Sequence, residues 1–183
     1  MTIECTQMDS PVGTLTLAVH EGRLVGLCFE GLWARREKAL SKQLPACRFV
    51  SASDPAGVVG RLRSYFAGDF AALAGIEVET WGTPFQRSVW TQLRLIPSGQ
   101  TRTYAEIAVA IGAATAVRAV GAANGANPVG IVVPCHRVIG SNGKLTGFAG
   151  GLASKRWLLD HEQAQLVLPD RPVRTGSLRH AAA

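Results

Sequence analysis

Thr103-Tyr104-Ala105-Glu106-Ile107-Ala108-Val109-Ala110-Ile111-Gly112, followed after two alanines by Thr115-Ala116-Val117-Arg118-Ala119-Val120-Gly121-Ala122-Ala123-Asn124, is the stretch from which the fold is read. Thr103 with Glu106 three residues on is a capping box, so a short helix begins here with Ile107, Ala108 and Ile111 inward. Gly112 ends it. Thr115 is placed to cap a next helix, Ala116 to about Asn124, rich in Ala and Gly. Upstream, Thr83-Pro84-Phe85-Gln86 is a second capping box with proline at the first helical position. Phe85, Val89, Trp90 and Leu93 then form one apolar stripe, until Pro97-Ser98-Gly99 stops that helix. Two short helices joined by a tight glycine turn fit a helix-turn-helix, a pattern that ordinary core helix pairs share. The small residues let the last helix approach either a neighbouring helix or a narrow groove.

The first half reads differently. Thr14–Val19 alternates, His20-Glu21-Gly22-Arg23 turns, and Leu24–Phe29 is apolar on both faces, as in a buried strand. Helices are expected over Trp33–Leu44 and Ala56–Phe66, the second stopped by Gly68-Asp69, with a last strand over Ile76–Thr80. The fold class is α/β: a small N-terminal α/β unit over 1–82 and a mainly helical C-terminal unit over 83–168. Residues 169–183 have little to bury and are expected to be a disordered tail.

The 183 residues are 47% hydrophobic and 17% charged, which suits a folded chain with a proper core and excludes a disordered or fibrous one. No run approaches the ~20 apolar residues of a membrane span. MTIECTQMDSP lacks the basic flank and apolar run of a secretory signal, so a soluble, cytoplasmic protein is expected. Cys5, Cys28, Cys47 and Cys135 contain no CxxC pair and need form neither a disulfide nor a metal site; no metal is expected. Of the net charge of +6, most lies in residues 84–165, with eight Lys and Arg against three Asp and Glu. That surplus suggests a polyanionic partner, the bland alternative being a solvated cationic surface.

Ile131-Val132-Val133 reads as a buried strand that delivers Pro134-Cys135-His136-Arg137. A free thiol has a pKa of ~8.5, so a nucleophilic cysteine needs a base or positive charge nearby, and His136 is adjacent. A histidine base in turn needs a carboxylate to fix its tautomer. Glu106, Asp160 and Glu162 are the candidates. Most buried cysteines are inert, so adjacency alone leaves both readings open.

Residues 127–140 (NPVGIVVPCHRVIG), with Gly147-Phe148-Ala149-Gly150-Gly151-Leu152 and Lys155-Arg156-Trp157-Leu158-Leu159-Asp160-His161-Glu162, resemble the methylated-DNA–protein-cysteine methyltransferases. The match runs through 83–162 and, more loosely, Asp9–Leu15. The resemblance implies a ribonuclease-H-like N-terminal core and a helix-turn-helix C-terminal unit. It also implies a monomer, with cooperative loading left open, that repairs O6-alkylguanine in double-stranded DNA by irreversible transfer to itself. No cofactor is implied; O4-alkylthymine is an open second substrate.

Residue by residue, Cys135 resembles the alkyl acceptor, His136 its water-linked base and Glu162 the carboxylate orienting His136. Asn127 resembles the brace between the helices and the active-site turn. Tyr104 is similar to the residue that contacts the base and crowds the phosphate, and Arg118 to the arginine that fills the vacated place in the stack. Ala119, Ala122, Ala123, Asn124 and Arg102 are expected on the DNA face. Val138, Phe148, Ala149 and Gly150 are expected around the substrate.

One departure stands out: Phe148-Ala149 replaces a common Tyr-Ser, removing both hydroxyls. A non-catalytic alkylated-DNA sensor of the same fold is disfavoured by Cys135. A Cys-His hydrolase unrelated to DNA is the remaining alternative.

Overall fold

The computed structural model describes residues 1–162. The expected tail, and the second unit beyond 162, lie outside the described residues. Four strands form a sheet of order β3-β2-β1-β4. β1 (Thr2–Met8) pairs antiparallel with β2 (Leu15–His20), which pairs antiparallel with β3 (Arg23–Phe29). The β2–β3 loop puts both Glu21 (φ 46°) and Gly22 (φ 77°) in the left-handed region, the twist that a two-residue hairpin needs. β4 (Arg48–Ser51) lies parallel to β1; a parallel neighbour needs a crossover, which α1 (Trp33–Gln43) supplies.

Every residue of β2 is buried, because both faces of the sheet are covered. Ala18 packs with Ile3, Val25 and Leu40 of α1. Leu15, Leu17 and Val19 face the larger core, with Leu62 and Tyr65 of α2 (Val58–Phe66). That helix starts two residues later than the apolar spacing predicts, since Ala56 and Gly57 are left-handed (φ 52° and 69°). The Asp54 carboxylate accepts from Val59 N and Gly60 N (2.7 and 3.1 Å) and so acts as the cap.

The strand expected over Ile76–Thr80 does not form. Only Val78 bridges Leu24, through Leu24 N to Glu77 O and Glu79 N to Leu24 O. The edge of β3 is divided: further along, Leu27 pairs with Val129 through Pro128 O and Gly130 N. The second half thus borrows the edge of the first.

In that half, α3 (Pro84–Arg94) and α4 (Tyr104–Ala110) both carry complete capping boxes, as read from the sequence. α5 (Val117–Gly125) packs on both, and Trp90 Nε1 donates to Ala123 O at 2.8 Å. Thr115 is not its cap. Ala116 occupies the N-cap position without a side-chain bond, fed by a turn in which Ala116 N donates to Ala113 O. A short parallel pair, β5 (Arg102–Thr103) with β6 (Val138–Ile139), and α6 (Gly151–His161) complete the unit. One apolar core runs from β2 and α2 through α3–α5 to Leu158 of α6.

Candidate active site

Asn127, just past α5, shapes the segment that presents Cys135. Its Oδ1 accepts from Val129 N (3.0 Å) and its Nδ2 donates to Val133 O (2.7 Å), closing the chain into a compact loop. The apolar run 131–133 is buried as expected but is not a strand. Val132 N turns back to Gly130 O and Val133 N to Val129 O, with Ile131 at φ 69°. A β-branched residue there is strained by ~1–3 kcal/mol, tolerated where surrounding structure over-determines the backbone. The loop runs into a 3-10 turn, Cys135–Arg137, whose three residues are all buried.

Glu162, at the end of α6, receives four hydrogen bonds. Tyr65 Oη donates to Oε1 (2.7 Å), Arg137 Nη2 to Oε1 (2.7 Å) and Arg137 Nε to Oε2 (2.8 Å). His136 Nε2 lies 3.0 Å from Oε1. Burial raises the Glu162 carboxyl, but the hydrogen bonds from His136 and Arg137 and the charge of Arg137 outweigh it and hold the carboxyl well below the usual range. An ionised carboxylate can only accept, so His136 carries its proton on Nε2. Its Nδ1 is then a lone pair, buried and without a partner among the described residues. Burial also lowers the His136 pKa against the opposing pull of Glu162, which keeps the ring neutral.

Burial pushes the Cys135 thiol up, opposed by the Asn127 amide and by the ammonium of Lys155. Lys155 is fully buried on α6 and donates to Val138 O (2.7 Å) and Thr146 O (2.9 Å). Its burial brings its pKa down to about 8.

Cys135 lines a cavity of about 250 Å³ with Asn124, Gly125, Gly130, Phe148 and Ala149, backed by Cys28 and Arg36 of the first half. A wider groove lined by Tyr104, Arg118, Gly121 and Thr146 shares Gly125, Phe148 and Ala149 with it. The cavity that Cys135 lines and the groove beside α5 are thus bordered in common by these residues. Thr146 Oγ1 donates to Tyr104 Oη (3.2 Å), leaving the Tyr104 proton unused.

Residues 84–164 match the family model described as the DNA-binding domain of 6-O-methylguanine DNA methyltransferase. The methylated-DNA–protein-cysteine methyltransferase of Salmonella typhimurium is 58% identical over 159 residues, 85% of this chain and 93% of that protein. The chain belongs to the methylated-DNA–protein-cysteine methyltransferase family. The family's Mycobacterium tuberculosis member is 45% identical over 161 residues, 86% of this chain and 91% of its own. The crystal structure of M. tuberculosis OGT in complex with DNA matches with a TM-score of 0.74 at 42% identity, over 89% of this chain and 93% of that one. The O6-methylguanine-DNA methyltransferase from Pyrococcus kodakaraensis matches at 0.67 and 25% identity, over 87% and 98%.

Of the residues that the family resemblance singles out, Cys135, His136, Asn127 and Glu162 are gathered into one site. Tyr104 and Arg118 line the groove, and Ala119, Ala122 and Arg102 are exposed. Ala123 and Asn124 are not on that face: both are buried, turned inward by the helical period toward Trp90 and Cys135. Val138 and Gly150 do not line the cavity. Val138 is a core residue whose carbonyl holds Lys155, and Gly150 packs against the Phe29 ring. Arg137 and Lys155, counted among the cations of the second half, are buried and used internally, leaving six for the surface. Tyr65, Arg137 and Lys155 are the site residues that sequence reading missed.

Proposed function

We propose that this protein repairs O6-alkylguanine in double-stranded DNA by moving the alkyl group onto Cys135 once, irreversibly. The observation that carries this reading is the Glu162–His136 bond, which leaves Nδ1 a free base in the turn holding a cavity-lining thiol. His136 takes the thiol proton through a water, and the sulfur attacks the saturated carbon in line with the departing O6. The S–C bond forms as the C–O6 bond breaks, and the electron pair passes into the purine. The unused Tyr104 proton is placed to hydrogen-bond the base as that charge develops. A thioether offers no route back to thiolate, so each molecule reacts once.

α4 and α5 act as a helix-turn-helix, the second unit (83–168) carries both DNA binding and chemistry, and 1–82 is a ribonuclease-H-like support. Arg118 enters the space left by the flipped nucleotide. The protein works as a monomer in the cytoplasm; no helix among the described residues is long and apolar enough to cross a membrane.

Duplex with a labelled methyl at O6 of guanine tests the reading. Wild type gains one methyl at Cys135 by mass spectrometry, and Cys135→Ser binds without transfer. Binding without transfer by wild type would indicate a sensor, neither would indicate a hydrolase, and repeated turnover would overturn the single-use mechanism.

A further inference from the structure

Asn124 is 3% exposed and lines the cavity beside Cys135. Its Nδ2 donates to the Cys135 carbonyl at 3.4 Å. A carbonyl can only accept, so this contact fixes which way round the amide lies. Oδ1 is then a buried acceptor with no partner among the described residues. Arg36 also lines the cavity; its guanidinium interacts with Cys28, but its Nε is buried and without a hydrogen-bond partner among the described residues, its stem lying across Gly26. The cavity of about 250 Å³ beside the thiol is thus lined by one residue that carries an unused acceptor and another that carries an unused Nε donor. An unsatisfied buried acceptor costs free energy that an apolar alkyl chain cannot return.

Resting on the alkyl-transfer reading, we propose that Asn124 is a specificity-determining residue that favours O6-alkyl groups bearing a terminal hydroxyl. A 2-hydroxyethyl group can donate to Asn124 Oδ1, and its oxygen can accept in turn; n-propyl has the same chain length and can do neither. Arg36 would favour a carboxylate-ended chain as much as a hydroxyl. The acceptor Asn124 Oδ1 would repel it, so the hydroxyl is the match.

The test compares single-turnover transfer from duplexes carrying O6-methyl-, O6-n-propyl- and O6-(2-hydroxyethyl)guanine, in wild type and Asn124→Leu. Each rate is normalised to that variant's own O6-methylguanine rate, which removes any general damage to the Cys135 turn. Wild type should prefer hydroxyethyl over propyl on the order of tenfold, and Asn124→Leu should lose that preference. Asn124→Met carries the same comparison should the leucine variant not fold. No wild-type preference would overturn the proposal, as would a preference that survives the substitution. Absence of transfer from O6-methylguanine in wild type would instead reject the alkyl-transfer reading itself.

Discussion

The Tyr65 hydroxyl donates to Glu162 Oε1 at 2.7 Å across 97 residues of sequence, joining α2 of the first half to the carboxylate that orients His136. The same two helices meet again where His161 Nε2 lies 2.9 Å from Tyr65 O. Burial, then the Glu162 charge, pushes the Tyr65 pKa up, so this phenol remains a donor throughout the working pH range. The first half is therefore part of the active-site support. Tyr65→Phe should cost about 1.5–3 kcal/mol, the range for a bond to a charged group, read by urea unfolding. Transfer should fall far less than with loss of Glu162 itself, since Arg137 and His136 still hold the carboxylate. A loss of transfer equal to that of Glu162→Gln would show that Tyr65 governs the chemistry.

Glu162→Gln removes both the tautomer lock on His136 and the charge partner of buried Arg137. Transfer at neutral pH should drop by ~10²- to 10⁴-fold, the usual worth of base assistance. Part should return as pH rises past the raised Cys135 pKa and the thiol ionises unaided. Stability should fall by about 3–5 kcal/mol from the unpaired guanidinium. In wild type the carboxyl pKa is depressed on folding. Its contribution is thus full above the ordinary carboxylate range and is lost as pH falls through the folded value. Equilibrium unfolding from pH 7 downward should show that loss in wild type and not in Glu162→Gln.

Lys155 gives the same sign in a higher pH window. Its pKa is about 8 in the fold, against 10.5 for an ordinary lysine. Between those values the unfolded chain binds more protons than the folded one, so this group makes stability rise with pH. Urea unfolding between pH 8 and 10.5 should show that upward component in wild type, and Lys155→Met should lack it. Identical slopes would mean that Lys155 titrates normally.

What could be read beforehand was what is local. Both capping boxes are four-residue patterns, and both formed. The Pro134-Cys135-His136-Arg137 run identifies the turn, because a thiol and an imidazole are adjacent there whatever the fold. The partner of His136 was not legible by spacing. Glu106 proves to be spent on its Thr103 cap, and Asp160, two residues before Glu162 at a helix end, faces solvent while Glu162 faces the core. Only the family resemblance chose between them. Arg137 and Lys155 were misread because a count of charges cannot distinguish a surface cation from one that neutralises an interior carboxylate or ties down carbonyls. The 131–133 run looked like a strand because burial on all sides gives the same apolar pattern. Its loop geometry comes from the Asn127 amide and from a left-handed Ile131 that no propensity predicts.

Arg118 gives the sharpest separation of roles. It is exposed on the first turn of α5 and lines the groove that shares lining residues with the cavity of Cys135. Unstacking a base costs a few kcal/mol, so a side chain that holds the flipped state helps only where there is a stack to leave. Arg118→Ala should slow transfer from O6-methylguanine in saturating duplex by roughly 10- to 100-fold on that cost. Reaction with free O6-benzylguanine, which has nothing to flip from, should be nearly unchanged. If Arg118 were one phosphate contact among the exposed cations, its loss would reduce the salt slope of binding by about 0.9 and leave the saturated rate intact. Equal slowing on duplex and free base would reject the finger role and place the damage at the Cys135 turn, which α5 braces through Asn124. Single-turnover rates on the two substrates, set beside the salt dependence of binding, distinguish all three outcomes.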